Sequence, residues 1–253
     1  MSIAPPNLPT EERLRWLTER LNSTGSVTLV EAARALSVSE MTIRRDLLEL
    51  EERGQARRVR GGALPLGPLT FNQRKSTRSR AKTQIAAKLL DLIPTTGTVA
   101  FDASSTIMRA AAALSGAQNL TVLTNGPDTF HALQQRPGVN PTLTGGQLDS
   151  RTGSLVGPIA NWTARQLTVS RFFMSRAALD ATVGATELTL EEADVKRAIA
   201  AGADEMILAV DASKLEHRAT VVALDWDQID VLVTDLDPRD RRLDPYRGLT
   251  SLR

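Results

Sequence analysis

Two sets of residues in this chain have the types and spacing to do chemistry. The first is the run Ser39-Glu40-Met41-Thr42-Ile43-Arg44-Arg45 and, a little downstream, Arg57-Arg58-Val59-Arg60. Arginine can fork onto guanine O6/N7 or onto phosphate, and Ser or Thr can reach base edges or backbone. Ser39, Glu40, Thr42, Arg44, Arg45, Arg57, Arg58 and Arg60 are therefore candidate contacts to double-stranded DNA. The second set is scattered: Asp102-Ala103-Ser104-Ser105-Thr106, Thr124-Asn125, Gly145-Gly146 and Asp211-Ala212-Ser213-Lys214. Hydroxyls and backbone N–H groups at a strand-to-helix exit suit an anion, and Asp211 and Lys214 add a carboxylate and a cation. Together these exits describe a pocket for a small phosphorylated polyol. Singly, the first is more often helix capping and the last more often a surface turn.

Composition removes other chemistries. The 253 residues include no cysteine, which excludes disulfides, thiolate metal sites and a cysteine nucleophile. The two histidines, His131 and His217, are far apart, so no metal site and no cofactor are expected. The opening MSIAPPNLPT has no apolar targeting core, and no apolar run approaches the roughly 18 residues of a membrane span. A cytoplasmic location without a membrane partner is the expectation. The net charge of +2 is unevenly spread: residues 1–90 carry +7, residues 91–179 +2 and residues 180–253 −7. Ten basic residues and no acidic one lie from Arg53 to Lys88. That bias points to a polyanion at the N-terminal end, the plainer alternative being a solvated charged face.

The elements that must position the first set are short and well punctuated. Thr10 is a candidate cap for a helix with Glu11 and Glu12 in its first turn and Leu14, Leu17 and Leu21 on one face. Gly25 breaks it. Thr28 and Glu31 form a capping-box pattern opening a helix over Leu29 to Leu36. Ser37-Val38-Ser39 makes a tight turn, and Ser39 caps a third helix from Glu40 to about Arg53. Its buried stripe is Ile43, Leu47 and Leu50; Thr42, Arg45, Glu49 and Glu52 lie opposite, with Arg44 on the flank. Gln55 to Val59 then alternates toward Gly61-Gly62 as a basic ribbon suited to phosphates or the minor groove.

Leu64 to Asn72, rich in Pro and Gly, reads as an extended connector, followed by a helix from about Lys82 to Ile93. Beyond Pro94, strands alternate with helices. Strands are expected at Thr98–Phe101, Leu120–Leu123, Asn140–Thr144, Arg171–Ser175, Glu205–Val210 and Val231–Thr234. Helices are expected at Ile107–Leu114, Phe130–Gln135, Pro158–Leu167 and Leu190–Ala201. This alternation implies a parallel sheet covered on both faces, with ligands at the carboxyl ends of its strands. Trp16, Trp162 and Trp226 read as packing residues, and the tail from Asp235 to Arg253 as a frayed surface segment, helical at most in its final turns.

The run VSEMTIRRDLLELEERGQARRVRGGA (38–63) closely resembles the helix-turn-helix of the DeoR family of bacterial transcriptional regulators, a likeness covering residues 10–63. LTVLTNG, TLTGGQLDSRTGSLVGPIA, LEEADVKRAI, MILAVDASK and IDVLVTD resemble successive motifs of that family's sensor domain. The resemblance implies an α/β fold class: a winged helix-turn-helix followed by a Rossmann-like sensor domain similar to ribose-5-phosphate isomerase and the CoA-transferase group. Domains are expected at 1–63 and 81–253 with a linker at 64–80. It also implies a repressor, a dimer or tetramer, released from operator DNA by a phosphorylated sugar or related metabolite. By motif, Asp102, Ser104, Ser105 and Thr106 hold phosphate, Thr124, Asn125, Gly145 and Gly146 line the sugar, and Lys214 reaches an anionic or hydroxyl group.

The chain departs from the family pattern twice. Ser104 stands where a D-x-G-T-T loop has glycine. The segment Phe173-Met174-Ser175-Arg176-Ala177-Ala178-Leu179 stands where the family reads F-[LI]-G-A-D-G-[IV]. The family aspartate becomes Ala177, and Arg176 is new, able to bind a second anion or to plug the pocket. The same loss bears on the alternative of a sugar-phosphate isomerase or CoA-transferase-like enzyme with an appended DNA-binding module. Moving a proton between adjacent carbons needs a poised base, and Asp180 alone is a poor one, so no catalytic residue is expected. A third alternative is an assembly protein whose α/β half only oligomerises.

Overall fold

The computed structural model describes residues 8–65 and 70–253 and divides into two compact units, Met1–Arg78 and Ser79–Arg253. In the first unit α1 (Thr10–Thr24), β1 (Val27–Thr28), α2 (Leu29–Leu36) and α3 (Glu40–Glu52) precede the ribbon of β2 (Ala56–Val59) and β3 (Gly62–Pro65), and α4 (Phe71–Ser76) closes the unit. Leu14, Leu17, Leu21, Leu36, Ile43, Leu47 and Leu50 form one apolar core, each at most 2% exposed. β1 adds to β3, so the wing is a three-stranded antiparallel sheet in the order β1-β3-β2. Gly25, in the left-handed region at φ 76°, ends α1.

Local expectations are corrected in three places. The residue before α1 is Pro9, which cannot cap by side chain; Thr10 is the first helical residue and its hydroxyl accepts from Arg13 instead. Thr28 does accept from the Glu31 N–H at 3.2 Å, but the Glu31 carboxylate pairs with Arg20 rather than completing the box. The expected extended connector is partly structured. Leu64 and Pro65 belong to β3, residues 66–69 lie outside the described residues, and α4 starts at Phe71. A full Thr70–Gln73 capping box starts α4, Phe71 is buried, and the Gln73 amide donates to the Leu21 carbonyl at 2.9 Å, binding α4 to α1.

The second unit begins with α5 (Ser79–Leu90), then β4 (Gly97–Phe101), α6 (Ser105–Ala113), β5 (Leu120–Thr124), α7 (Pro127–Gln134) and β6 (Val139–Leu143). A hairpin, β7 (Gln147–Asp149) and β8 (Ser154–Val156), leads to α8 (Pro158–Arg165) and β9 (Val169–Met174). β10 (Ala178–Asp180), β11 (Gly184–Glu187), α9 (Leu190–Ala200), β12 (Ala203–Ala209), β13 (Val221–Leu224), β14 (Val231–Val233) and β15 (Ser251–Leu252) complete it. Seven strands form one all-parallel sheet in the order β15-β14-β12-β9-β4-β5-β6. The order reverses between β4 and β9, and the carboxyl ends of those two strands are where such a sheet opens a ligand crevice. Pro141, which has no N–H for a ladder, sits on the edge strand β6.

Successive strand residues point to opposite faces, and both faces are covered. Phe173, Ile207 and Val233 face α5, α6 and α7, while Phe172, Met174, Leu208 and Leu232 face α8, α9 and the C-terminal tail. The hairpin β7–β8 and the small antiparallel sheet β10-β11-β13 add to the expected alternation of strands and helices. The tail is not frayed. Leu243 and Tyr246 are fully buried in a short 3-10 segment, Arg241–Tyr246, and β15 extends the main sheet. Trp226 packs against Tyr246 with ring centroids 5.4 Å apart. Trp162 is no packing residue: α8 turns Ala160 and Ala164 inward, so Trp162 is left 65% exposed. No helix among the described residues is long and apolar enough to cross a membrane.

Candidate DNA interface and effector crevice

In the first unit, α3 is held by two features that leave one face bare. Ser39 caps it, its hydroxyl accepting from the Thr42 N–H at 3.1 Å and lying 2.9 Å from the Thr42 hydroxyl, so these two candidates bind each other. Asp46, only 2% exposed, takes a two-pronged contact from Arg13, Nε to Oδ2 at 2.7 Å and Nη2 to Oδ1 at 2.8 Å. The contact locks α1 to α3 and raises the Arg13 pKa, chiefly through that hydrogen bond. Sequence reasoning misses Asp46, although its place in Ile43, Asp46, Leu47, Leu50 at i, i+3, i+4, i+7 marks a charge on the buried stripe.

Glu40, Arg44 and Arg45 are exposed on α3, as are Arg57, Arg58 and Arg60 on the wing. Arg44, Arg58 and Arg60 line a concavity of about 510 Å³ between helix and wing. Arg58 pairs with Glu51 at 3.1 Å, whereas Arg44, Arg45, Arg57 and Arg60 make no ion pair among the described residues. Four guanidinium groups thus stand in solvent on a helix and ribbon, an arrangement that can neutralise phosphates and enter a major groove.

In the second unit, the parallel sheet brings its loops to one edge. Asp102 leaves β4 and is wholly buried; its Oδ1 accepts from the Ser104 N–H at 2.9 Å and its Oδ2 from the Ser175 N–H at 2.8 Å, across the strand-order reversal. Both carboxylate oxygens are thus taken up by backbone N–H groups of the two loops, and Asp102 shapes both loops. Ser104 caps α6, its hydroxyl accepting from the Ile107 N–H at 3.2 Å, and Ser105 and Thr106 lie in the first turn, whose N–H groups have no acceptor within the helix. Thr124 accepts from the Gly126 N–H at 3.1 Å. Asn125 is fully buried, its amide donates to the Leu155 carbonyl, and its Oδ1 has no hydrogen-bond partner among the described residues.

Gly145 and Gly146 leave β6 at φ 70° and 109°. A Cβ on Gly146 would stand 2.7 Å from the Val156 carbonyl oxygen, so only glycine fits this approach. The exits of β4, β5, β6 and β9 are interlocked. The Thr144 N–H donates to the Thr124 carbonyl and the Thr129 hydroxyl to the Asp102 carbonyl. Asp211 and Lys214 sit one strand beyond β9, at the β12 exit, where Asp211 caps the 3-10 turn Ala212–Lys214.

Behind the exits lies a buried charge cluster of which sequence reasoning finds only Asp102 and Arg176. Lys196 of α9 pairs with Glu187 of β11, donates to the Ser175 carbonyl at 2.9 Å, and lies 3.3 Å from Asp102 Oδ2 and 3.5 Å from Glu192 Oε2. Ser154 of the hairpin donates to Glu192. Burial alone would lower the Lys196 pKa, but Glu187, Asp102 and Glu192 outweigh it and hold the ammonium above its ordinary value. The Arg176 side chain is fully buried, 3.6 Å from Glu187, and desolvation lowers its pKa. A signal for Glu192 and Lys196 is present: Glu192, Val195, Lys196 and Ile199 share the i, i+3, i+4, i+7 stripe of α9. Asp180, on β10, is taken by Arg218 at 2.7 Å and by Thr182, and these contacts hold its carboxyl far below the usual range.

A basic winged helix carried in one chain with a doubly wound α/β unit, polar at its strand-order reversal, defines a transcriptional regulator with a sensor domain. A DeoR-like helix-turn-helix domain matches residues 13–66 and a DeoR C terminal sensor domain residues 77–236. The chain is 31% identical to the HTH-type transcriptional regulator GolR of Listeria innocua over 228 residues, 88% of this chain and 90% of that one. It is 30% identical to the Glycerol-3-phosphate regulon repressor of Escherichia coli over 230 residues, 90% and 91% of the two chains. Among solved structures it is similar to ribose 5 phosphate isomerase A from Neisseria gonorrhoeae, at 11% identity over 56% of this chain and 53% of that one, with a TM-score of 0.37. The chain belongs to the DeoR family of transcriptional regulators.

Proposed function

We propose that this regulator is a repressor that binds operator DNA as a symmetric dimer or tetramer and is released by a phosphorylated sugar or related metabolite. The observation that carries the DNA half is the bare arginine face: Arg44 and Arg45 on α3 and Arg57 and Arg60 on the wing, exposed and without ion pairs among the described residues. The unit Met1–Arg78 binds DNA, and the unit Ser79–Arg253 senses effector and oligomerises. A single winged helix reads too few bases for an operator, which supports two-fold pairing. Exposed Ile159 and Trp162 on α8 are the kind of apolar surface such pairing covers.

The effector half rests on the crevice between β4 and β9. Its phosphate goes to the α6 N-terminus at Ser104, Ser105 and Thr106, and its hydroxyls to Thr124, Asn125 and the Gly145-Gly146 backbone. Asp102 orders the loops, Arg176 backs them from the buried cluster, and Asp211 and Lys214 flank the site at the β12 exit. Asn125, buried with an unpartnered Oδ1, supports a ligand hydroxyl there. The protein is a regulator without catalysis, since Asp180, the surviving candidate base, is held ionised by Arg218 and so has little affinity for a substrate proton. Fluorescence anisotropy with labelled DNA from upstream of this protein's own gene, with sugar phosphates added in turn, tests the reading. The expected result is sequence-preferential binding, reversed by one phosphorylated compound. Equal affinity for unrelated DNA, turnover of a sugar phosphate, or no response across the set overturns it.

A further inference from the structure

The buried charges of the sensor unit are matched unevenly, and Arg176 is the side chain left short. A guanidinium carries five N–H donors. Those of Arg176 meet the Ser175 carbonyl at 3.4 Å and the Met174 sulfur at 3.1 Å, and its Nε has no partner among the described residues. Glu187 lies 3.6 Å from Nη1, too far for a hydrogen bond, because its carboxylate is held by Lys196. Yet the Arg176 side chain is 0% exposed. An underfilled buried guanidinium is costly, and a planar carboxylate that accepts from its fork in parallel relieves that cost.

Its place in the fold says what can bring the carboxylate. Arg176 follows Ser175, whose N–H holds Asp102, so it stands where β9 leaves the sheet beside β4. The N-terminus of α6 opens from the same β4 exit. Resting on the effector reading above, we infer that Arg176 is the specificity-determining residue of the crevice and that the effector is a phosphorylated sugar acid, its phosphate at the α6 N-terminus and its carboxylate on Arg176. A carboxylate fits better than a second phosphate, because Asp102, Glu187 and Glu192 already share this cluster and repel a dianion more strongly than a monoanion.

Calorimetric titration of the full chain with matched pairs tests this: phosphogluconate against glucose 6-phosphate, and phosphoribonate against ribose 5-phosphate. The acid of at least one pair binds about tenfold or more tightly than its aldose, the value of a charge-assisted hydrogen bond. Arg176→Ala brings the acid down to the level of the aldose. Because that variant unbalances a buried cluster, R176A/E187A, which removes one charge of each sign, is titrated beside it, with thermal unfolding and DNA binding as controls of the fold. Equal binding of acid and aldose by the wild type, or a preference that survives in a folded variant, overturns the role of Arg176 while leaving the effector reading intact. No binding of any phosphorylated probe overturns both.

Discussion

Replacing Lys196 by methionine keeps the length of the side chain and removes the one ammonium that the buried cluster shares. Its Nζ serves Glu187, the Ser175 carbonyl at 2.9 Å, Asp102 at 3.3 Å and Glu192 at 3.5 Å. Without it, Asp102 keeps its two backbone donors and Glu192 keeps Ser154, but three carboxylates face only Arg176. Leaving buried charge unpaired in this way costs about 3–5 kcal/mol. In a unit the size of Ser79–Arg253, each kcal/mol moves the midpoint by about 2–4 °C, so Tm falls by roughly 6–20 °C. Urea unfolding followed by far-UV circular dichroism reads the free energy directly. The folded-state pKa of Lys196 is raised, so its contribution is complete below the ordinary lysine value of about 10.4 and disappears as pH rises through the folded value. The stability curves of wild type and Lys196→Met therefore run parallel from neutral pH to about pH 10 and converge above it. A loss under about 1 kcal/mol, the range of exposed pairs, refutes a desolvated cluster. A gap that persists at alkaline pH refutes the charge as its source.

Two further outcomes follow from the geometry. Arg57→Ala lowers the slope of log affinity against log salt by about 0.9 for each phosphate that Arg57 neutralises, while Arg58→Ala lowers it less, because Glu51 already competes for that guanidinium. Equal changes in the two variants, measured by anisotropy over a salt series, remove the Glu51 pair from the account. Tyr246→Phe deletes a hydroxyl that accepts from the Glu216 N–H at 2.9 Å and donates to the Leu179 carbonyl at 3.3 Å, at a cost of about 0.5–1.5 kcal/mol. An unchanged urea midpoint would show that the tail does not anchor the loop after β12.

Legibility in the sequence follows the range of the interaction. α2, bounded by Thr28 and Ser37, and α3, capped by Ser39, are visible because a cap and an apolar stripe are written within a few residues. The parallel sheet is visible because buried strands and amphipathic helices alternate. The connector and the tail are illegible for the converse reason. Neither has a strong period of its own, and each is ordered by distant partners: Gln73 by Leu21, Tyr246 by Leu179 and Glu216. Trp162 reads as core because size suggests burial, yet the alanines of α8 decide which face turns inward.

The sequence by itself determined the two-unit plan, the arginine face of α3 and its wing, and the strand exits that carry Asp102, Thr124, Gly145 and Arg176. These depend on local dihedral preferences and on 3.6- and 2-residue periods, which a linear chain displays. Only the tertiary structure decided which charges meet. Asp102, at the β4 exit, lies far along the chain from Glu187 of β11 and from the i,i+4 pair Glu192 and Lys196 of α9, and only packing brings it within 4 Å of the ammonium that those two carboxylates also share. It decided too that Arg13 locks Asp46 and that Arg176 is buried short of acceptors. Coulomb and desolvation energies depend on separation and burial in space, quantities a sequence does not carry.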